Sequence, residues 1–135
     1  QCKYSRLLTR QDHTIEMASK MDGIWDNCYK GINRANSAIK YIPNIKIDEE
    51  GEGERLLAEA KFFRAFNYFY LVKTFGAVPF YTEPYEVAEN MELERTETST
   101  IYTQIENDLN EAMAVLADAR FTDNHRITSI PLLWY

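Results

Sequence analysis

The sequence predicts an all-α fold, and three observations support this. A strongly helical segment runs from Glu54 to Phe75 and ends at Gly76, a residue type common at helix ends. Apolar residues from Met21 to Ile42 recur at steps of four and three, and the segment from Ser99 to Leu116 is amphipathic with the same period. We therefore expect three long helices packed along one another, with no sheet beyond a short extended piece at Val78–Tyr81.

The first helix is predicted from Thr14 to Ile42, because Pro43 cannot continue a helix. Its apolar residues form one buried seam. The seam consists of Met21, Trp25, Cys28, Ile32, Ala35, Ile39 and Ile42. Gly23 and Gly31 each weaken a helix interior by about 1 kcal/mol relative to alanine, so we expect them to permit close packing or a bend.

Three residues of this helix raise the question of a functional role. Asn33 and Asn36 are poor helix-interior residues, and we expect them to bond the backbone or neighbouring helix ends rather than a ligand. Cys28 lies in the apolar seam, which favours a buried free thiol. A disulfide between Cys28 and Cys2 is the alternative.

The central helix, Glu54–Phe75, is apolar on two sides rather than one. One side carries Phe62, Phe66 and Phe69. The opposite side carries Leu57, Tyr68, Leu71, Val72 and Phe75. Because the neighbouring helices offer one seam each, we expect three helices to leave a ring-rich surface of the central helix uncovered.

The third helix, Ser99–Leu116, has Ser99 as its predicted N-cap. Its inward positions are Ile101, Ile105, Leu109, Ala112 and Leu116. The polar positions between them, including Asp108, are predicted to face solvent or helix ends.

Two loops connect the helices. The acidic loop Asn44–Gly53 lacks the ligand spacing of a helix-loop-helix calcium site, so we interpret it as solvated. The loop Tyr81–Glu97 follows Phe80 and contains Tyr81 and Tyr85, the only ring cluster outside the predicted helices. These rings either cap the end of the helical layer or form a flat surface for sugar C–H faces.

Composition and motifs exclude several classes of function. A net charge of −6 with a pI near 5.0 argues against nucleic-acid binding, which draws on clustered Lys and Arg. The chain has no apolar run long enough for a membrane span and no signal peptide at its start. His13 and His125 have no partners at metal-ligand spacing, and we find no nucleophile or phosphate-loop motif. We expect no enzyme activity, metal or cofactor.

The central helix and its flanks resemble the SusD/RagB family of outer-membrane glycan-binding lipoproteins. The matching residues of the central stretch are Ala58-Glu59-Ala60, Arg64-Ala65, Tyr68-Phe69, Leu71-Val72 and Phe75-Gly76-Ala77-Val78-Pro79. The flanks add Trp25, Tyr29, Gly31-Ile32-Asn33 and Asn36 upstream, and Arg95-Thr96, Ile101-Tyr102, Ile105-Glu106 and Asp108-Leu109 downstream. The resemblance covers roughly residues 25–116, whereas Pro131 departs from the alanine-rich helix that the family places there.

The resemblance implies a tetratricopeptide-like antiparallel helical bundle or solenoid. Residues 1–135 would be a single helical region, an N-terminal fragment of a larger SusD-like domain. Family members bind an oligosaccharide or other nutrient at the outer-membrane surface and deliver it to a TonB-dependent, SusC-like transporter. Their lipid anchor is not expected on Cys2, because no apolar segment precedes it.

Only Tyr81 and Tyr85 are candidate ligand residues, since no other ligand contact of the family matches a motif here. The alternative interpretation is a free-standing helical-repeat module for protein–protein contacts. A complete gene with a lipoprotein signal and several hundred further residues would exclude that module.

Overall fold

The computed structural model describes residues 15–85 and 93–116, and this part of the chain is dominated by three α-helices. They are α1 (Ile15–Tyr41), α2 (Glu52–Phe75) and α3 (Thr98–Val115). A 3-10 turn at Ile42–Asn44 follows α1, because the proline at position 43 disfavours helical geometry in the residue before it. The all-α prediction is confirmed.

The ends of α2 and α3 differ in detail from the sequence prediction. As predicted, α2 ends at Phe75, where Gly76 adopts a φ of 73° that other residues rarely tolerate. It begins at Glu52, two residues before the predicted start. The predicted N-cap of α3 is wrong: Glu97 precedes the helix without a side-chain cap, and Ser99 lies inside the first turn.

The core lies where α2 packs against both other helices. The larger buried cluster joins one side of α2 to α1 and α3, and it consists of Cys28, Ile32, Ala65, Tyr68, Leu71, Val72, Val78, Ile101 and Ile105. A smaller cluster of Ala58, Ala112 and Leu116 lies near the start of α2. Cys28 is a buried free thiol, as expected, and burial raises its pKa.

Gly31 permits a close approach between α1 and α2. A Cβ atom at this position would lie 2.8 Å from Nδ2 of Asn67 on α2, so the side chain of Asn67 would have to move. Gly23 has no heavy atom within 4 Å of the same point. The expected packing role is therefore confirmed for Gly31 but not for Gly23.

A two-stranded antiparallel sheet closes the end of the helical layer. Strand β1 (Val78–Pro79) pairs with β2 (Arg95–Thr96), with Val78 opposite Thr96. The extended piece at Val78–Tyr81 was predicted, but its partner strand was not, because two residues carry no detectable period. From the last residue of β1, residues 79–85 run across α1 and α2, and we call this segment the strap.

Some predictions fall outside the described residues. These concern Cys2, His13, His125 and the tail after Leu116. Among the helices that are described, none combines the length and the hydropathy needed to cross a bilayer.

Candidate functional site

The strap is held by side chains of α1 that bond to its backbone. Tyr29 donates its hydroxyl hydrogen to the carbonyl of Pro79 at 2.7 Å. Asn36 donates from Nδ2 to the carbonyls of Tyr81, at 3.3 Å, and Glu83, at 3.2 Å. The expectation that Asn36 bonds backbone is confirmed, and its acceptors belong to the strap rather than to a helix end.

The last residue of the strap is fixed in the same way. The backbone N–H of Tyr85 donates to Oδ1 of Asn33 at 2.5 Å. Within the described part of the chain, nothing accepts a hydrogen bond from Nδ2 of Asn33, so this amide remains available at the surface. Pro84, the neighbour of Tyr85, is buried.

From α2, Tyr68 contacts the middle of the strap twice. Its hydroxyl donates to the carbonyl of Tyr81 at 2.7 Å and accepts from the N–H of the same residue at 3.0 Å. Tyr68 is fully buried, so both groups of Tyr81 are satisfied away from water. The strap therefore has a defined conformation although it is neither helix nor strand after Pro79.

A buried ion pair lies behind the strap and links all three helices. Arg64 of α2 donates from Nε and Nη2 to the two carboxylate oxygens of Asp108 on α3, both at 2.7 Å. Its Nη1 donates to Oδ1 of Asn36 at 3.1 Å and to the carbonyl of Thr82 at 3.5 Å. Gln104 donates to Asp108 at 2.9 Å. These bonds connect α3 through Arg64 and Asn36 to the strap.

The prediction that Asp108 faces solvent is wrong. Asp108 is only 2% exposed, because a buried guanidinium needs a carboxylate partner with its hydrogen bonds filled. The sequence carried a signal: Asp108 is three residues after Ile105 and four before Ala112, which places it within the inward stripe. Arg64 likewise lies on the buried side of α2, between Ala60 and Tyr68.

A row of aromatic rings runs from the end of α2 to the end of the strap. The ring of Trp25 lies 5.1 Å from Phe75 and 5.0 Å from Tyr29. Tyr81 stacks on Tyr29 at 5.9 Å with the planes 13° apart, and Tyr85 follows at 6.3 Å. The row crosses from α2 over α1 to the strap, so it depends on how the strap is docked.

The two candidate residues have different environments within this row. Tyr81 packs against the larger core cluster, as a ring that caps the helical layer would. Tyr85 is at the end of the row, and its ring is not among those that pack on this core. Tyr81 thus caps the helical layer, whereas Tyr85 has no such contact with the core, and a ligand role for either residue stays a prediction.

Tyr81 and Tyr85 line a shallow surface pocket of about 370 Å³. Its other lining residues come from α1, and they are Trp25, Asp26, Tyr29, Lys30 and Asn33. Rings thus line a cavity whose rim carries a carboxylate, an ammonium group and the amide nitrogen of Asn33, which has no hydrogen-bond acceptor among the described residues. Sugars require this combination, because their C–H faces lie on rings while their hydroxyls need hydrogen-bond partners. The sequence analysis did not place these five residues of α1 in a site with the strap, because the docking of the strap has no local signal.

A second cavity of about 360 Å³ lies between α1 and α2 on another side of the bundle. Small and aliphatic side chains such as Ala35, Ala38 and Leu56 form much of its wall, and Phe63 is its one aromatic ring. Of its polar residues, Glu59 already pairs with Arg55 and Asn67 bonds the backbone. This cavity lacks the row of rings that distinguishes the strap pocket.

Three tyrosine hydroxyls near the strap are perturbed by their surroundings. Burial raises the pKa of Tyr29 and of Tyr68, because ionisation would leave a phenolate away from water. Burial also raises the pKa of Tyr81. The hydroxyls of Tyr29 and Tyr68 therefore remain protonated at pH values where an exposed tyrosine ionises, and they act as hydrogen-bond donors to the strap. In the residues the structure describes, no cluster of three His, Cys, Asp or Glu side chains is arranged to hold a metal ion.

Comparison with known proteins matches this geometry to a family. Residues 2–130 match a SusD-like family model described as starch-binding and associating with the outer membrane. A SusD-like protein of Formosa agariphila is 36% identical over 107 residues, which is 78% of this chain and 20% of that protein.

Solved structures agree with these matches. A laminarin-binding SusD-like protein superposes with a TM-score of 0.74 at 38% identity, over 81% of this chain and 24% of that one. A structure solved with a xylogluco-oligosaccharide gives a TM-score of 0.75 at 26% identity, over 84% of this chain and 22% of the other. The chain thus spans about a fifth to a quarter of the length of the proteins it matches. Because the family model covers nearly the whole sequence and these structures share its helical fold, the chain belongs to the SusD-like family.

Proposed function

We propose that this chain is the N-terminal helical portion of a cell-surface protein that captures an oligosaccharide or related nutrient at the outer membrane. The captured ligand is then delivered to a TonB-dependent, SusC-like transporter. Family membership supports glycan binding, since one similar structure is of a laminarin-binding protein and another contains a xylogluco-oligosaccharide. The transporter step rests on the resemblance of the sequence to the family.

The observation that carries the proposal for this chain is the strap pocket. Trp25 and Tyr85 supply ring surface, and Nδ2 of Asn33, which has no acceptor among the described residues, belongs to the same pocket. Asp26 and Lys30 add one acceptor group and one donor group on the adjacent turn of α1. Mixed charge at the rim suits a ligand with many hydroxyls better than a strongly charged one.

Tyr85→Ala is expected to weaken binding of laminarin or xyloglucan oligosaccharides to the full-length protein. Loss of one stacked ring should raise Kd by about tenfold, equivalent to about 1.4 kcal/mol. Tyr70→Ala is the matched control, because it removes a tyrosine ring of α2 that lies outside the pocket. Isothermal titration of both variants and the unmodified protein measures the effect.

The melting temperature separates binding from folding in this experiment. Tyr85→Ala should leave it nearly unchanged, whereas Tyr81→Ala should lower it because Tyr81 stacks on Tyr29 and packs on the core. Equal affinities for Tyr85→Ala, Tyr70→Ala and the unmodified protein would remove the strap pocket from the glycan site. If the unmodified protein binds neither oligosaccharide, the proposal that it captures glycans of this kind is contradicted.

A further inference from the structure

Asn36 has every polar group of its side chain engaged inside the protein. Its Nδ2 donates to two strap carbonyls, and its Oδ1 accepts from Arg64. The residue is 1% exposed, so a bound glycan has no access to it. Any effect of Asn36 on binding must therefore pass through the strap.

The strap depends on such side chains because it has little backbone pairing of its own. Its ladder contact is limited to Pro79 in β1, and Tyr81 to Tyr85 form no helix or strand. The carbonyl of Glu83 is bonded only by Asn36 among the described residues, and the carbonyl of Thr82 only by Arg64. Removing the donors at Asn36 releases the segment that immediately precedes Tyr85.

The Arg64–Asp108 pair fixes the orientation of Asn36. Arg64 donates to Oδ1 of Asn36, which leaves Nδ2 as the end that faces the strap. Asp108 holds the guanidinium with two bonds of 2.7 Å, so α3 sets the position of Arg64. A charged pair with filled hydrogen bonds specifies one arrangement of the polar groups around it.

We propose that Asn36 and Arg64 are positioning residues that set glycan affinity by holding the strap, without touching the ligand. This inference rests on the proposed function of the strap pocket. In the unmodified protein the strap is held in the shape that places Tyr85 beside Trp25 and Asn33. When the hydrogen bonds from these residues to the strap are removed, only a fraction of the molecules present the pocket at any time. The apparent affinity is then reduced in proportion to that fraction.

Asn36→Asp in the full-length protein is the variant that tests this proposal. Aspartate keeps an oxygen for Arg64 but loses both donors to the carbonyls of Tyr81 and Glu83. We expect Kd for laminarin or xyloglucan oligosaccharide to rise by about tenfold. Hydrogen exchange at the amide of Tyr85, which donates to Asn33, should accelerate by more than about tenfold, because the released strap changes from a minor to the major population.

Ile105→Val is the matched control for a change in the core without a strap bond. Ile105 is buried on α3 and belongs to the same core cluster. It should lower the melting temperature slightly while leaving Kd and the exchange of Tyr85 unchanged. Faster exchange together with weaker binding in Asn36→Asp alone would support the proposal.

If the unmodified protein binds one of the oligosaccharides, two results would overturn the inference. One is Asn36→Asp with unchanged exchange at Tyr85, which would show that the strap is held without Asn36. The other is faster exchange with unchanged affinity, which would show that the hold does not matter for binding. If the unmodified protein binds neither oligosaccharide, the proposed function fails on that result alone. The inference is then contradicted as a statement about affinity, whatever the exchange at Tyr85 shows.

Discussion

At the scale of single residues, Tyr68 shows how a buried hydroxyl couples stability to pH. Its hydroxyl bonds both polar backbone groups of Tyr81, and burial raises its pKa from the ordinary value of 10.0. The unfolded chain therefore loses the proton first as pH rises, and the folded state keeps it. Stability is complete below about pH 10 and falls above it, by about 1.4 kcal/mol per pH unit for each such tyrosine.

Tyr68→Phe should change the stability curve in two opposite ways. At pH 7 the variant should be less stable by about 1–3 kcal/mol, because the N–H of Tyr81 loses its acceptor. Above pH 10 its stability should fall less steeply, since Tyr29 remains but Tyr68 no longer ionises. Denaturant unfolding between pH 7 and pH 11 measures both effects.

Tyr70→Phe is the comparison variant, at an exposed position without a bond from its hydroxyl to the strap. Parallel alkaline slopes for Tyr68→Phe and the unmodified protein would contradict the assignment of the perturbed hydroxyl. Equal stability of Tyr68→Phe and the unmodified protein at pH 7 would contradict the structural role of the bonds from Tyr68 to Tyr81.

Residue-level prediction from sequence succeeded where the pattern was local. Ile101 and Ile105 are buried as their spacing indicated, and Asn36 bonds backbone as its poor fit to a helix interior suggested. It failed for Asp108, because hydrophobicity alone assigns a carboxylate to solvent. Asp108 is buried because it pairs with Arg64, which is 44 residues away in sequence.

At the scale of elements, the two apolar sides of α2 are buried to different extents. One side forms the core with α1, α3 and β1. On the other side, Phe62 and Phe69 are half-buried against the core clusters, while Phe66 is exposed. Phe66 forms a ridge with Phe63 and Tyr70, which the sequence analysis assigned to neither side; the exposed fractions of Phe63, Phe66 and Tyr70 are 48%, 40% and 45%. The expectation that three helices leave rings uncovered is thus confirmed for the described residues.

This ridge should make the 135-residue chain associate when it is produced alone. We expect it to bind a hydrophobic dye and to sediment as more than a monomer, because contiguous exposed rings favour association. Phe66→Lys should reduce both effects. Extension of the chain into the larger SusD-like domain that we propose for it should restore a compact monomer.

Asn107→Lys, at an exposed position of α3, adds the same charge away from the ridge and serves as the control. A monomeric chain with a cooperative melt and no dye binding would contradict the prediction. It would also favour the alternative of a free-standing helical module.

Sequence analysis located the helices because the helical spacing of apolar residues and the Gly or Pro residues that end a helix are both visible in a short stretch of sequence. Gly76 ended α2 where predicted, and the seam of α1 was correct at Cys28 and Ile32. The pairing of β1 with β2 was missed, because it is decided by the packing of the whole layer. The strap pocket was missed for the same reason, apart from Tyr81 and Tyr85.

At the scale of the whole molecule, the helices act as a frame for the strap. α3 holds Arg64 through Asp108, α2 holds Tyr81 through Tyr68, and α1 supplies the asparagines. We propose that residues 1–135 form one helical region within a larger SusD-like domain, in which the strap pocket contributes part of the glycan surface.

A crystal structure of the full-length protein with a bound laminarin or xyloglucan oligosaccharide examines this proposal at atomic scale. We expect one sugar ring to lie with its C–H face within about 4 Å of the Tyr85 ring, near Trp25 and Nδ2 of Asn33. The strap should keep its bonds to Asn36 and Tyr68 in the complex. An oligosaccharide bound elsewhere, with no atom in contact with Tyr85, Trp25 or Asn33, would contradict the assignment of the strap pocket as a glycan surface.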